Sequence, residues 1–263
     1  MIPNFTFLGK EYSAYMFIAT AGVIFTLFFM MHVAKKNKYD EIKVLYMLLY
    51  GFAAAFVVSH LFFGLVQIQN FIQVDSTGWG FQEYVEFFLS GSVYYGGLIG
   101  CLIAAYIYLH FAVEDSSPYF DMGAAAIPLF HTFGRIGCFL SGCCYGVEWK
   151  HGVTYHHAQV ASANGVPRFP VQLVEAILNL ILSIVILRLF TKKKAQGYLI
   201  NIYLIVYPVY RFILEYFRGD SYRGFFGPFS TSQTVSIILV LFSVISIFYK
   251  RSKSNRKTVA AAV

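Results

Sequence analysis

The chain has 263 residues, of which 20 are Lys or Arg and 13 are Asp or Glu, so 13% carry charge while 58% are hydrophobic and 19% aromatic. A soluble domain carries about 25% charged residues to cover its surface, so this composition argues against one. The aromatic content argues against disorder, and four Cys in so long a chain argue against a small disulfide scaffold.

What remains is an all-α, polytopic membrane protein. Runs of about 20 apolar residues are long enough to cross a bilayer as helices, and seven occur, with soft edges: Ala14–Val33, Val44–Val66, Ser92–Phe111, Met122–Ser141, Val171–Phe190, Tyr198–Phe217 and Thr234–Tyr249. The first is too long for a signal peptide and lacks a charged leading region and a small-residue cleavage site, so it reads as a retained span. The spans make one transmembrane domain over residues 1–250. The tail, residues 251–263, is polar and then Ala-rich and is expected to fray.

Lys35, Lys36, Lys38 and Lys43 follow the first span, Lys192, Lys193 and Lys194 the fifth, and Lys250, Arg251, Lys253, Arg256 and Lys257 the seventh. With seven spans these twelve lie on one side, against Lys10, Lys150, Arg168, Arg218 and Arg223 on the other. The positive-inside bias then puts the N-terminus outside and the C-terminus in the cytoplasm. The net charge of +7 is mostly this bias; it favours anionic lipid headgroups and is no argument for nucleic acid.

Ionisable residues inside spans are costly and therefore functional candidates. Arg188 and His32 lie near span ends and read as snorkelling residues. Arg135 lies in His131-Thr-Phe-Gly-Arg-Ile-Gly-Cys-Phe-Leu-Ser-Gly-Cys-Cys-Tyr-Gly146, where Gly134, Gly137, Gly142 and Gly146 suggest a Gly-rich break beside an anion site. If the helix persists instead, His131, Arg135 and Cys138 share one face; the alternative use of Arg135 is helix packing through a carboxylate. Arg211, Glu215 and Arg218 fall on one helical stripe. They read equally as a satisfied buried ion pair or as an anion clamp oriented by Glu215. Two Arg-bearing segments at membrane depth point to a phosphate, which guanidinium forks match bidentately, and the commonest phosphate there belongs to a phospholipid. Cys138, Cys143 and Cys144 match no zinc-ligand spacing, so no metal is expected; Cys101 and Cys138 read as packing residues, and a disulfide of open connectivity is the alternative if Gly142–Pro170 faces the oxidising side. His151, His156 and His157 read as a solvated loop.

These residues carry a family resemblance. Gly134-Arg-Ile-Gly-Cys-Phe-Leu-Ser-Gly142 resembles the signature of the prolipoprotein diacylglyceryl transferases. Tyr95-Gly-Gly-Leu-Ile-Gly100 is similar to that family's His-Gly-Gly-Leu-Ile-Gly stretch, and Pro170-Val-Gln-Leu-Val-Glu175 to its Pro-Thr-Gln-Leu-Tyr-Glu stretch. Arg211-Phe-Ile-Leu-Glu-Tyr-Phe-Arg218 resembles a further block, and Ser230-Thr-Ser-Gln233 also fits. The chain departs from the pattern at Tyr95, where the family has His, at Cys138, where it has Asn, and at Cys143-Cys144, where it has a single Glu after Gly142. It resembles a divergent, Cys-rich branch. The family's N-terminal tyrosine corresponds to Tyr12 or Tyr15.

The resemblance implies transfer of the diacylglyceryl group of phosphatidylglycerol to the lipobox cysteine of a prolipoprotein signal peptide in the bacterial cytoplasmic membrane, without a cofactor. It implies Arg135 and Arg211 as phosphate ligands, with Tyr95 as a further catalytic residue; His131, at i, i+4 spacing before Arg135, reads as the thiol's base in place of the missing family His. Gly96, Gly97, Gly137, Cys138, Gly142, Gln172, Glu175, Glu215 and Arg218 would line the substrate site. The alternatives are another phospholipid-using transferase on the same scaffold, or a lipid binder or transporter without catalysis.

Overall fold

The computed structural model describes residues 3–7, 9–67, 79–220 and 224–261; Arg223, counted above among the outer charges, lies outside them. Among the described residues there are eight α-helices: α1 (Ala14–Lys36), α2 (Glu41–Val66), α3 (Phe81–Leu89), α4 (Tyr94–Ala112), α5 (Ser117–Ser141), α6 (Val171–Thr191), α7 (Leu199–Leu214) and α8 (Thr231–Ala261). Seven spans long and apolar enough to cross a membrane fall where the hydropathy puts them, the sixth reaching Phe217 through a 3-10 turn over Glu215–Phe217. The short α3 was not anticipated. Three small antiparallel hairpins complete the fold: β1 (Asn4–Phe7) with β2 (Lys10–Ser13), β3 (Glu148–Thr154) with β4 (Pro167–Arg168), and β5 (Phe225–Phe226) with β6 (Phe229–Ser230).

Two expectations need correction. The Gly-rich stretch does not break α5 at membrane depth: the helix runs through Gly134 and Gly137 to Ser141, and the chain turns only at Gly142, whose φ of +72° suits glycine. The helix survives because one face of it is buried against polar partners, and tertiary packing outweighs glycine's low propensity. The tail is not an irregular segment past Ser252 either; α8 continues to Ala261.

The chain forms two compact units, residues 30–119 and residues 1–29 with 120–263. In the first, α2 and α4 pack closely because α4 presents glycine to its neighbour. A Cβ on Gly96 would lie 2.6 Å from that of Phe62, and one on Gly100 2.8 Å from the Ala54 carbonyl oxygen. Gly97 faces the Ala55 oxygen at 3.3 Å. This small-residue stripe at i, i+4 lets two membrane helices approach, which gives Gly96 and Gly97 a packing role. Tyr95 is buried in the same unit.

In the second unit, polar side chains join the helices, as they must where no water competes. Ser183 donates to the Ala125 carbonyl at 2.8 Å, linking α6 to α5, and Tyr210 donates to Asn179 Oδ1 at 2.9 Å, linking α7 to α6. Ser243 of α8 donates to the Asn201 carbonyl of α7 at 2.9 Å. Asp121 accepts from the backbone N–H groups of Gly197 at 2.6 Å and Leu199 at 2.9 Å, capping the start of α7. Lys250 donates to the Gly197 carbonyl at 2.6 Å and to Asn201 Oδ1 at 3.0 Å. Large apolar side chains such as Phe17, Phe28, Ile181 and Phe248 are left facing outward, as a lipid-contacting surface requires.

Candidate active site

The second unit gathers its buried charges in one place. α5 contributes His131 and Arg135, one turn apart on the face that the unbroken helix predicts. α6 contributes Glu175, α7 contributes Arg211, and the 3-10 turn that follows contributes Glu215. All five are at most 7% exposed. Glu175 is the hub. Its Oε2 lies 3.0 Å from Arg135 Nε, and its Oε1 lies 3.8 Å from both Arg211 Nε and His131 Nε2. Arg211 Nη2 meets Glu215 Oε2 at 2.6 Å and donates to Ser232 Oγ at 3.3 Å. His131 is further held edge-on against Tyr207, with ring centroids 5.4 Å apart.

Arg218 does not continue the stripe of Arg211 and Glu215 as an α-helix would have it. The α-helix ends at Leu214, and Arg218 is extended. Its guanidinium grips both carboxylate oxygens of Asp220, with Nε to Oδ1 at 2.8 Å. Burial works against the Arg218 charge, but the neighbouring Cys144 sulfur and the Asp220 carboxylate outweigh it and raise the guanidinium above its ordinary range. Each of the three guanidiniums thus has a carboxylate, and the cluster is formally balanced. A buried charge needs this compensation, because its desolvation otherwise costs several kcal/mol. Arg211 Nη1, however, is buried with no hydrogen-bond partner among the described residues. It is a buried donor with no acceptor assigned to it, the kind of group that an incoming anion satisfies.

Next to the charges lies a polar shelf. Gln172 is wholly buried: its Nε2 donates to the Cys143 carbonyl at 2.8 Å and its Oε1 accepts from the Tyr155 hydroxyl at 3.2 Å. Both ends of its amide are used on the protein, so it positions the loop after α5. Burial pushes the Tyr155 phenol up, keeping it a donor. Gly137 lets the start of α1 come close, since a Cβ there would lie 3.0 Å from the Tyr15 ring and 3.3 Å from its Cα. Tyr15 is near enough to Arg135, Cys138, Cys143 and Cys144 to interact electrostatically with all four, whereas Tyr12 is half exposed in β2. Of the two tyrosines, Tyr15 is the one that lies beside Arg135 and the turn. A Cβ on Gly142 would lie 2.3 Å from that of Ala158, so this glycine serves both the turn and the close approach of the outer loop.

The turn also brings three thiols together. The sulfurs of Cys138, Cys143 and Cys144 lie within 4.8 Å of one another. The S–H groups of Cys138 and Cys143 pull the Cys144 thiol well below its usual range, against burial and with help from the charges of Arg218 and Arg135, while Cys143 is pushed up by Cys138, by Cys144 and by burial.

The structure therefore joins His131, Arg135, Glu175, Arg211 and Glu215 in one cluster and sets Cys138, Gly142 and Gln172 around the adjoining turn. Tyr95, Gly96 and Gly97 belong to the other unit. Sequence reasoning missed Asn179, which completes a polar stripe with Gln172 and Glu175 on an otherwise apolar helix, a signal that was there to be read. It also missed Tyr155, whose surroundings in sequence carry no such signal, and it gave Ser232 no role although that residue lies in the matched stretch Ser230-Thr-Ser-Gln233.

Comparison with known proteins bears on what the cluster serves. A family model described as prolipoprotein diacylglyceryl transferase matches residues 4–249. A phosphatidylglycerol–prolipoprotein diacylglyceryl transferase of Clostridium tetani is 29% identical over 91% of this chain and 94% of its own length. One of Helicobacter pylori is 30% identical over 94% of this chain and 78% of its own. A second such transferase of Clostridium perfringens is 32% identical over 65% of this chain and 67% of its own.

Proposed function

The chain belongs to the prolipoprotein diacylglyceryl transferase family, and from that premise we propose how its buried cluster does the work. It is a membrane transferase of lipoprotein maturation, catalysing the first step, in which the diacylglyceryl group of phosphatidylglycerol passes to a prolipoprotein thiol. A carbon–sulfur bond forms, the carbon–oxygen bond to phosphate breaks, and glycerol 1-phosphate leaves with the bonding electrons. It is a multi-pass bacterial membrane protein. We place it in the cytoplasmic membrane with its N-terminus outside, where both substrates enter from the bilayer and the signal peptide supplies the thiol.

The observation that carries the reading is the pair of buried guanidiniums, Arg135 and Arg211, sharing the Glu175 carboxylate while Arg211 keeps an unused nitrogen. Negative charge grows on the phosphate as the carbon–oxygen bond breaks, and preorganised donors in a water-poor site stabilise that growth most. In this reading Arg135 and Arg211 hold the phosphate, Glu175 and Glu215 fix their forks, and Arg218, tied to Asp220, adds positive potential. His131 accepts the thiol proton, since thiolate is the nucleophile. Cys138, Gly137, Gly142 and Gln172 shape the wall beside Arg135. Tyr95, Gly96 and Gly97 contact substrate in this reading because the family pattern implies it.

The test is complementation of a bacterium depleted of its own diacylglyceryl transferase, combined with thioether formation from labelled phosphatidylglycerol in purified membranes. The wild-type chain restores growth, whereas failure at good expression would favour a different phospholipid-using transferase or a lipid binder. Arg135→Ala lowers turnover by about 10²–10³ with insertion intact; unchanged turnover removes Arg135 from the site. Full activity in His131→Gln would assign proton acceptance to another group.

A further inference from the structure

The turn after α5 holds three thiols to which the transferase reading gives no chemistry. Its backbone is folded back on the helix end: Gly142 N–H donates to the Phe139 carbonyl at 3.3 Å and Cys143 N–H to the Cys138 carbonyl at 3.2 Å. The left-handed region is occupied not only at Gly142 but also at Cys144, with φ of +54°, where a residue with a Cβ is uncommon. This double reversal is what lets adjacent cysteines present both sulfurs to Cys138. Linear spacing gave no sign of it, because two neighbouring residues in extended backbone point to opposite sides. The Cys143 carbonyl is fixed from behind by Gln172, itself held by Tyr155, so the turn is anchored to α6 as well as to α5.

We propose that Cys138, Cys143 and Cys144 form a binding site for one thiophilic d10 cation of the zinc class, held by three thiolates. The sulfurs already lie within 4.8 Å of one another. Tetrahedral coordination with zinc–sulfur bonds of about 2.3 Å sets them about 3.8 Å apart, so each needs to move by only a fraction of that difference. All three are free thiols. One is buried in a rigid helix and two are half-buried on an anchored turn, as a preorganised ligand set requires. Three thiolates around a divalent ion leave one negative charge, and it would sit close to the guanidiniums of Arg135 and Arg218, which both act on Cys144. Among the described residues the group comprises these three, and a tetrahedral ion held by three thiolates has a fourth position for an external ligand. Soft ligands suit such an ion, and the class of external ligand that fits there is a thiol.

The test uses the purified full-length protein in detergent, reduced and stripped with chelator, titrated with Zn²⁺ and in parallel with Co²⁺. The expected result is one Zn²⁺ per chain, protection of three thiols from alkylation, and a cobalt spectrum with thiolate charge-transfer bands and intense tetrahedral d–d bands. That spectrum should change when a small thiol is added. Cys143→Ser and Cys144→Ser should each weaken binding at least ~100-fold, and Cys101→Ser, in the other unit, should leave it unchanged. Cys138→Ser should behave like the turn variants; if it fails to fold, the two turn variants decide. Binding below one equivalent, less than ~10-fold weakening in both turn variants, or recovery of two of the three thiols as a disulfide in protein purified without reductant overturns the proposal. None of these readouts depends on transfer activity.

Discussion

Glu175 shows how much one residue can hold in a membrane interior. It sits at 1% exposure between Arg135 and Arg211, with His131 on its second oxygen. Removing one partner of a buried ion pair leaves an uncompensated charge and costs about 3–5 kcal/mol. Glu175→Gln keeps the shape and removes the charge, so it should lower the thermal midpoint in detergent and cut turnover by about 10²–10³, both measurable on one preparation. If turnover falls while the midpoint stays put, Glu175 orients the guanidiniums without stabilising the fold. Unchanged turnover would show that the carboxylate is a packing partner alone. The charged members of this cluster were legible in the sequence because an ionisable residue in an apolar run stands out whatever its role. Their pairing was not. Arg211 with Glu215 follows from i, i+4 spacing, but Arg135 with Glu175 joins two helices, and only tertiary packing sets that distance. Gln172 shows the converse: its place in a family motif suggested substrate contact, while the structure has used both its polar ends on Tyr155 and Cys143.

Among the elements, the helices were readable and the outer loop was not. A span is dictated by about 20 apolar residues, and its ends follow from the bilayer, so all seven appeared where hydropathy put them. The segment between α5 and α6 has no such constraint. In the sequence Arg168 was one outer charge among five; in the structure it is the pin of the loop. It is buried, donates to the carbonyls of Ala163 at 3.0 Å, Gly146 at 3.3 Å and Ser162 at 2.6 Å, and lies over the Tyr145 ring at 4.4 Å from its centroid. Hydrogen bonds to a charged group contribute about 1.5–3 kcal/mol each, and a cation over an aromatic ring adds to them. Arg168→Ala should therefore loosen residues 145–169 without disturbing the spans. Limited proteolysis of the purified protein should cut the variant within that stretch at protease levels that leave the wild type whole. Because Gly146 packs its Cα against the Phe169 carbonyl, where a Cβ would come to 2.2 Å, Gly146→Ala should give the same cleavage by a steric route. Resistance of both variants would mean that the loop is held by its hairpin alone.

For the whole molecule, the scarcity of charge has two consequences that can be tested together. Outward-facing Phe, Ile and Leu side chains need lipid, and the charges that remain outside the buried cluster are free to set orientation. Seven spans put the termini on opposite sides, and the clusters that follow the first, fifth and seventh apolar runs collect twelve of the 20 Lys and Arg on one of them. Lys250 belongs to one cluster and is also tied into the fold through Gly197 and Asn201, so topology and packing share that residue. A reporter active only outside the cell, fused after Lys257, should be silent, and the same reporter inserted at residue 157 in the outer loop should be active. A reporter that works only in the cytoplasm should give the opposite pair. Replacing Lys192, Lys193 and Lys194 with Gln tests the cause: the positive-inside bias predicts a measurable fraction of molecules with mixed reporter signal, while Arg188→Gln, at a span end, changes little. Activity of the outside reporter after Lys257 would invert the arrangement. It would put the thiol turn and the guanidinium cluster beside it on the wrong side for a secreted signal peptide.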